Sequence, residues 1–225
     1  MMLENPTKLD LYEIFTEDLR VIDSENRHPR QVGRYGPRDL SFPCSLNCEF
    51  KYLYPERDGF GDDTLWRFEQ GSVAEAFFTR RLMKSRRWKV LGTQDNIFGF
   101  YHNSVLINGY RDIRALHLPS NAVYSFEVKF TTSFKYTPKD NHVQQHNFYL
   151  KDGLSGFLVY VNPWLDMRTY FYALDEEMLE KMIVKAHKID CALKDGELVE
   201  PDPKGWDGKV CDYCAFLDVC PVRRR

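Results

Sequence analysis

The chain has 225 residues, 43% hydrophobic and 28% charged, a balance that fits a folded globular protein and excludes a disordered one. Its formal net charge of −2 excludes broad electrostatic coating of a phosphate backbone, though not a local basic track. No stretch reaches the length of a membrane span and the first residues lack the order of a signal peptide, so the expected compartment is the cytoplasm. There, six cysteines serve as free thiols or metal ligands rather than disulfides. In chain order, residues 7–20 carry Leu9, Tyr12, Phe15 and Leu19 at helical spacing and predict an amphipathic helix. A loop rich in Arg, Gly and Pro is predicted from Arg27 to Pro43, leading into Cys44 and Cys48. Residues 65–84 predict a helix with Phe68, Phe77, Phe78 and Leu82 as its apolar stripe. Three strands follow, Trp88–Thr93, Ser104–Leu116 and Val123–Thr132, divided by Gly, Asn, Pro and Ser turn signals.

A short helix over 141–151 and strands Ser155–Val161 and Arg168–Ala173 come next. Asp175 reads as the N-cap of a helix through Leu193, with Met178, Leu179, Met182, Ile183, Ala186 and Ile189 on one side. Pro201, Pro203, Gly205 and Gly208 then break regular structure before the last cysteines. This order predicts an α/β core with a mixed central sheet flanked by helices, not an alternating Rossmann series. Basic runs that offer a track for nucleic acid are Arg27, Arg30, Arg34 and Arg38, then Arg80, Arg81, Lys84, Arg86 and Arg87, and finally Arg223 to Arg225.

Two groups of residues carry chemistry. Ile107-Asn-Gly-Tyr-Arg-Asp112 ends in an aspartate on a predicted strand, and after 14 intervening residues comes Glu127-Val-Lys129 on the next. Side chains alternate along a strand, so Glu127 and Lys129 share one face. Two carboxylates supply hard oxygen ligands for Mg²⁺ or Mn²⁺, and a lysine beside them orients water and offsets phosphate charge. Alone, E-x-K is an ordinary polar strand face. Its company strengthens it: Glu75 follows Gly71 on the preceding helix, and Gln145 and Tyr149 stand at i and i+4 on the following one. The second group is Cys211, Cys214 and Cys220, three thiols within ten residues of a Gly/Pro-rich tail, good material for a soft metal and poor material for a core. A fourth ligand has to come from Cys44 or Cys48, because Cys191 lies within a helix pattern where a buried free thiol is the commoner role. Spacing alone leaves zinc and iron–sulfur both open.

In order and spacing these pieces resemble the RecB-like PD-(D/E)XK nucleases: a helix residue after Gly, then G-x-x-D, E-x-K and Q-x-x-x-Y. The resemblance implies a restriction-endonuclease-like core with Asp112, Glu127 and Lys129 as catalytic triad, Gln145 and Tyr149 as fourth motif, and Glu75, Asp112 and Glu127 as metal ligands. Many members have a histidine at the position of Glu75, which leaves the metal preference open. An early cysteine far from a C-terminal C-x₂-C-x₅-C resembles the iron–sulfur branch, which includes AddB and the CRISPR-associated exonucleases of the Cas-four type, with viral and phage relatives. It implies a structural 4Fe–4S cluster on Cys48, Cys211, Cys214 and Cys220. Cys48-Glu-Phe-Lys-Tyr52 matches the family's basic and aromatic context better than Cys44 does, although the proline usual after that cysteine is missing.

The function so implied is a single nuclease domain over 1–225, with its core at about 65–195 and cluster elements at about 38–55 and 205–221. It would act on single-stranded DNA or DNA ends, with exonuclease and endonuclease action both open. The partners implied are DNA, other CRISPR-adaptation or recombination proteins and further copies of the chain, with no membrane. The competing reading is a catalytically silent DNA-end-binding adaptor stapled by zinc or a cluster.

Overall fold

The computed structural model describes residues 8–26, 30–57, 61–134, 137–200, 211 and 214–221. The elements in chain order are α1 (Lys8–Asn26), β1 (Arg34–Tyr35), α2 (Pro37–Leu40), α3 (Ser45–Leu53), a 3₁₀ turn (Pro55–Arg57), α4 (Asp62–Met83), β2 (Trp88–His102), β3 (Val105–His117), β4 (Ala122–Phe130), α5 (Asp140–Phe148), β5 (Ser155–Val161), β6 (Met167–Tyr172) and α6 (Glu176–Asp195). Among the described residues they build a six-stranded mixed sheet in the order β1-β3-β4-β5-β6, with β2 on the far side of β3. Among these residues no helix is long and apolar enough to cross a membrane.

Local chemistry accounts for the long elements. Asn103 and Ser104 take positive φ angles of 46° and 71°, the left-handed pair that a two-residue hairpin turn demands, and β2 folds back on β3 there. The expected strand end at Thr93 is thereby corrected, since the hairpin carries β2 on to His102. Asp175 caps α6 by accepting the Met178 N–H at 3.0 Å, and Gly196 ends the helix at φ 70°.

Two layers flank the sheet. On one face, Ala74, Phe78 and Leu82 of α4 pack against Ile113, Ala115, Phe126, Val128, Val159 and Val161. A second cluster gathers Met182, Ile183, Ala186 and Ile189 of α6 with Tyr35, Leu40, Cys48, Val105, Ile107, Phe148 and Tyr149. The sequence expectations need several corrections. The segment expected as a loop up to Pro43 holds β1 and α2, and α3 follows directly. Phe15 of α1 is exposed, and α1 meets α4 through Thr16 with Trp66 and Arg20 with Asp62. Cys191 is exposed rather than buried, because Ile189 and Asp190 take the inward face of α6 at that turn.

Candidate active site

β3 changes partners along its length. Its Ile113–His117 half pairs with β4, whereas Leu106 and Ile107 pair with β1, and residues 108–112 have no strand partner on that edge among the described residues. Continuing the β3–β4 register by one step sets Asp112 across from Glu127, just where the ladder ends at the Ile113–Phe126 pair. The gap is held open by specific contacts. Asp112 Oδ2 accepts the Val128 N–H at 2.8 Å. Gly109 lets α2 close in, since a Cβ there would lie 2.9 Å from Pro37 Cδ and 3.1 Å from the Tyr149 hydroxyl. Arg111, almost fully buried, donates to the Tyr149 carbonyl at 2.8 Å and to Asp152 at 3.0 Å, tying β3 to the end of α5.

Into this gap the chain gathers five of the residues singled out by sequence. Lys129 Nζ donates to Glu127 Oε1 at 2.6 Å and to Gln145 Oε1 at 3.0 Å, and Gln145 Nε2 donates to the Tyr149 hydroxyl at 3.3 Å. The i to i+4 spacing on α5 makes the last contact, and β-alternation makes the first. Glu127 is 1% exposed, and its Oε2 has no hydrogen-bond partner among the described residues. Burial pushes the Asp112 carboxyl well above the usual carboxylate range, and the Glu127 charge pushes it further, against Lys129 and the Val128 N–H. Burial likewise raises Glu127, against the pull of Lys129.

The sixth residue, Glu75, lies on α4 outside this hydrogen-bonded group. Its charge acts on both Asp112 and Glu127, while its Oε1 accepts from Gln94 Nε2 at 2.7 Å. Among the described residues no three His, Cys, Asp or Glu side chains are gathered closely enough to hold a metal ion by themselves. Two carboxylates beside an open gap nonetheless suit Mg²⁺ or Mn²⁺, which take one or two protein oxygens and complete their shells with water and substrate phosphate. Arg38 of α2, which lies 4.7 Å over the Phe68 ring, also directs its charge at Glu127 and Tyr149. In the sequence Arg38 reads only as one member of a basic run. Arg27 and Arg223 to Arg225 lie outside the described residues.

Gly109→Ala is expected to lower stability by about 1–3 kcal/mol, the usual cost of overpacking, and to weaken the Gln145 contact through Tyr149. Urea midpoints with an unchanged slope would register the first effect.

The tail docks on α3. Leu46, Phe50 and Phe216 form a third cluster, and Cys44, Cys214 and Cys220 pack against it. Asn47 Nδ2 lies 3.4 Å from Cys214 Sγ, Val199 N–H donates to the buried Glu49 at 2.9 Å, and Arg57 pairs with Asp218. Cys48 lies apart from this group. Its thiol is fully buried in the cluster with Tyr35, Leu40 and Ile183, and burial together with Asp39 pushes its pKa up to about 12. Cys44, the N-cap of α3, is the early cysteine that shares a cluster with Cys214 and Cys220. Cys44 stands just before the helix in extended backbone, and Cys48, inside it, packs into the core.

No family model matches the sequence, and no curated protein matches it. The structure is similar to the crystal structure of SSO0001, with a TM-score of 0.65 at 18% identity, covering 95% of this chain and 97% of that one. It is also similar to the crystal structure of LHK-Exo in complex with dAMP, with a TM-score of 0.53 at 10% identity, covering 73% of this chain and 90% of that one. The chain therefore has the fold of these structures: a mixed sheet flanked by helices.

Proposed function

We propose that the chain, over its full length of 1–225, is a divalent-metal-dependent deoxyribonuclease acting on single-stranded DNA or DNA ends. The observation that carries this reading is the Lys129 ammonium, held between Glu127 and Gln145 where β3 parts from β4 beside Asp112. The partnerless Oε2 of Glu127 and the upward shift of both carboxyls fit a site that expects a cation. Asp112 and Glu127 would hold Mg²⁺ or Mn²⁺, with Glu75 reaching it directly or through water. Such an ion polarises phosphoryl oxygens and acidifies bound water. Lys129 orients the attacking water and offsets charge that builds on the phosphate in the transition state. Gln145 fixes the Lys129 ammonium, and Tyr149 fixes Gln145. The likeness to LHK-Exo, whose structure was solved with dAMP, supports a nucleic-acid substrate.

In the same reading Cys44, Cys211, Cys214 and Cys220 hold a 4Fe–4S cluster that staples α3 to the tail, with the Asn47 amide donating to the Cys214 sulfur. Trimming of DNA ends in CRISPR adaptation or in recombination is the role that follows from the family resemblance. The test uses anaerobically purified full chain with end-labelled single-stranded and duplex DNA. Cleavage should require Mg²⁺ or Mn²⁺ and stop with EDTA. DNA-end binding without cleavage in either metal would favour the silent adaptor.

A further inference from the structure

Beyond Lys129 the same sheet face continues across two more strands. Lys129 of β4 is in register with Tyr160 of the parallel β5, and Tyr160 is opposite Arg168 of the antiparallel β6. Side chains at matched register stand on one face, so the three form a row spanning on the order of 10 Å. α5 lies over this row. His142 is three residues before Gln145, and its Nδ1 is 2.8 Å from the Tyr160 hydroxyl. The same hydroxyl oxygen accepts the Lys139 N–H at 3.2 Å. The Tyr160 hydroxyl is able to give its proton to Nδ1, an arrangement that places the ring's remaining proton on Nε2. Burial, then the charges of Lys129, Lys139 and Arg38, lower His142 to about 3, which keeps the ring neutral and marks the surroundings as electropositive. At the end of the row the Arg168 guanidinium lies 5.0 Å over the Phe134 ring. An ammonium, a neutral N–H donor and a guanidinium over an aromatic plate, in that order, match a sugar-phosphate strand with a stacked base.

We propose that this row seats the nucleic-acid strand next to the scissile bond, its neighbouring phosphate bound by the His142 Nε2–H and Arg168 and its base against Phe134. This rests on the nuclease reading of the Lys129 site. The row also explains Tyr160, which holds His142 in the donor tautomer and touches no substrate. The seat has no base-edge contact in it, so the strand is gripped without regard to sequence.

The test measures binding of a fluorescent single-stranded oligonucleotide of about 12 nucleotides by full-chain protein, with Ca²⁺ replacing Mg²⁺ to withhold cleavage. Arg168→Gln should weaken binding roughly tenfold and reduce the salt slope by about one phosphate. His142→Phe should weaken it comparably, and His142→Gln, which keeps an amide N–H at the same reach, should restore most of the loss. In Mg²⁺ the loss should fall on KM more than on kcat. If His142→Phe does not fold, Arg168→Gln decides alone. Unchanged affinity and salt slope in Arg168→Gln overturn the seat, whether or not the wild type cleaves. Weakened binding in that variant, with a wild type that cuts in neither metal, sinks the nuclease reading and leaves the seat standing. A wild type that binds no oligonucleotide sinks both.

Discussion

Alanine at Asp112, Glu127 or Lys129 is expected to lower turnover at least ~10²-fold, the scale set by losing one preorganised electrostatic group. Each group acts on charge that exists fully only in the transition state, so kcat falls while the fold survives. Survival follows from the packing: the apolar contacts of these strands lie with Phe126, Val128 and Ile113 on the α4 face, which the three substitutions leave untouched. Glu127→Ala should bind DNA more tightly than the wild type does in the absence of metal, because a carboxylate that repels phosphate has gone. Cleavage assays with freshly purified variants and a denaturation curve for each measure the two halves of this expectation. Cleavage retained by the Asp112 and Lys129 variants would remove the proposed site.

The second large effect concerns the tail. Cys44→Ser should lose the cluster, seen as disappearance of a broad brown absorption near ~400 nm, and with it a cross-link that closes a long loop. Cys48→Ser should keep the colour and lose stability instead, since it puts a hydroxyl among Tyr35, Leu40 and Ile183. Colour retained in Cys44→Ser and lost in Cys48→Ser would reverse the assignment. A colourless wild type with stoichiometric zinc would replace iron–sulfur by a zinc staple.

How much was legible in the sequence depended on how locally each feature is determined. The bounds of β5 and the Asp175 cap rest on neighbouring residues, and both came through as expected. Glu127 with Lys129, and Gln145 with Tyr149, were legible as pairs because strand alternation and helix spacing set them locally, whereas Asp112 meets them only through the β3–β4 register. β1 and α2 were missed because elements of two and four residues have almost no periodicity and exist only through packing, as with Pro37 against Gly109. Cys44 and Cys48 are one helical turn apart, and only docking of the tail decides which faces it. Tyr160 and Arg168 carried no signal, because the row depends on the relative register of three strands. The spacing of His142, Gln145 and Tyr149 along α5 was the one clue available.

The orphaned oxygen of Glu127 has a thermodynamic side. Two carboxylates are buried around one ammonium, and both carboxyls titrate above their usual range. At neutral pH the folded chain therefore carries a penalty that the unfolded chain lacks. The penalty grows as pH rises from the unfolded pKa toward the raised folded one, and it is relieved as pH falls back through that interval. A cation in the gap would relieve it at constant pH, so the proposed metal site predicts a melting temperature that rises with metal concentration. Neutralising Glu127 as glutamine should lift part of the same burden, so that variant is expected to melt above the metal-free wild type and to lose cleavage. The feature that equips the gap for chemistry is, for the folded chain by itself, a standing instability.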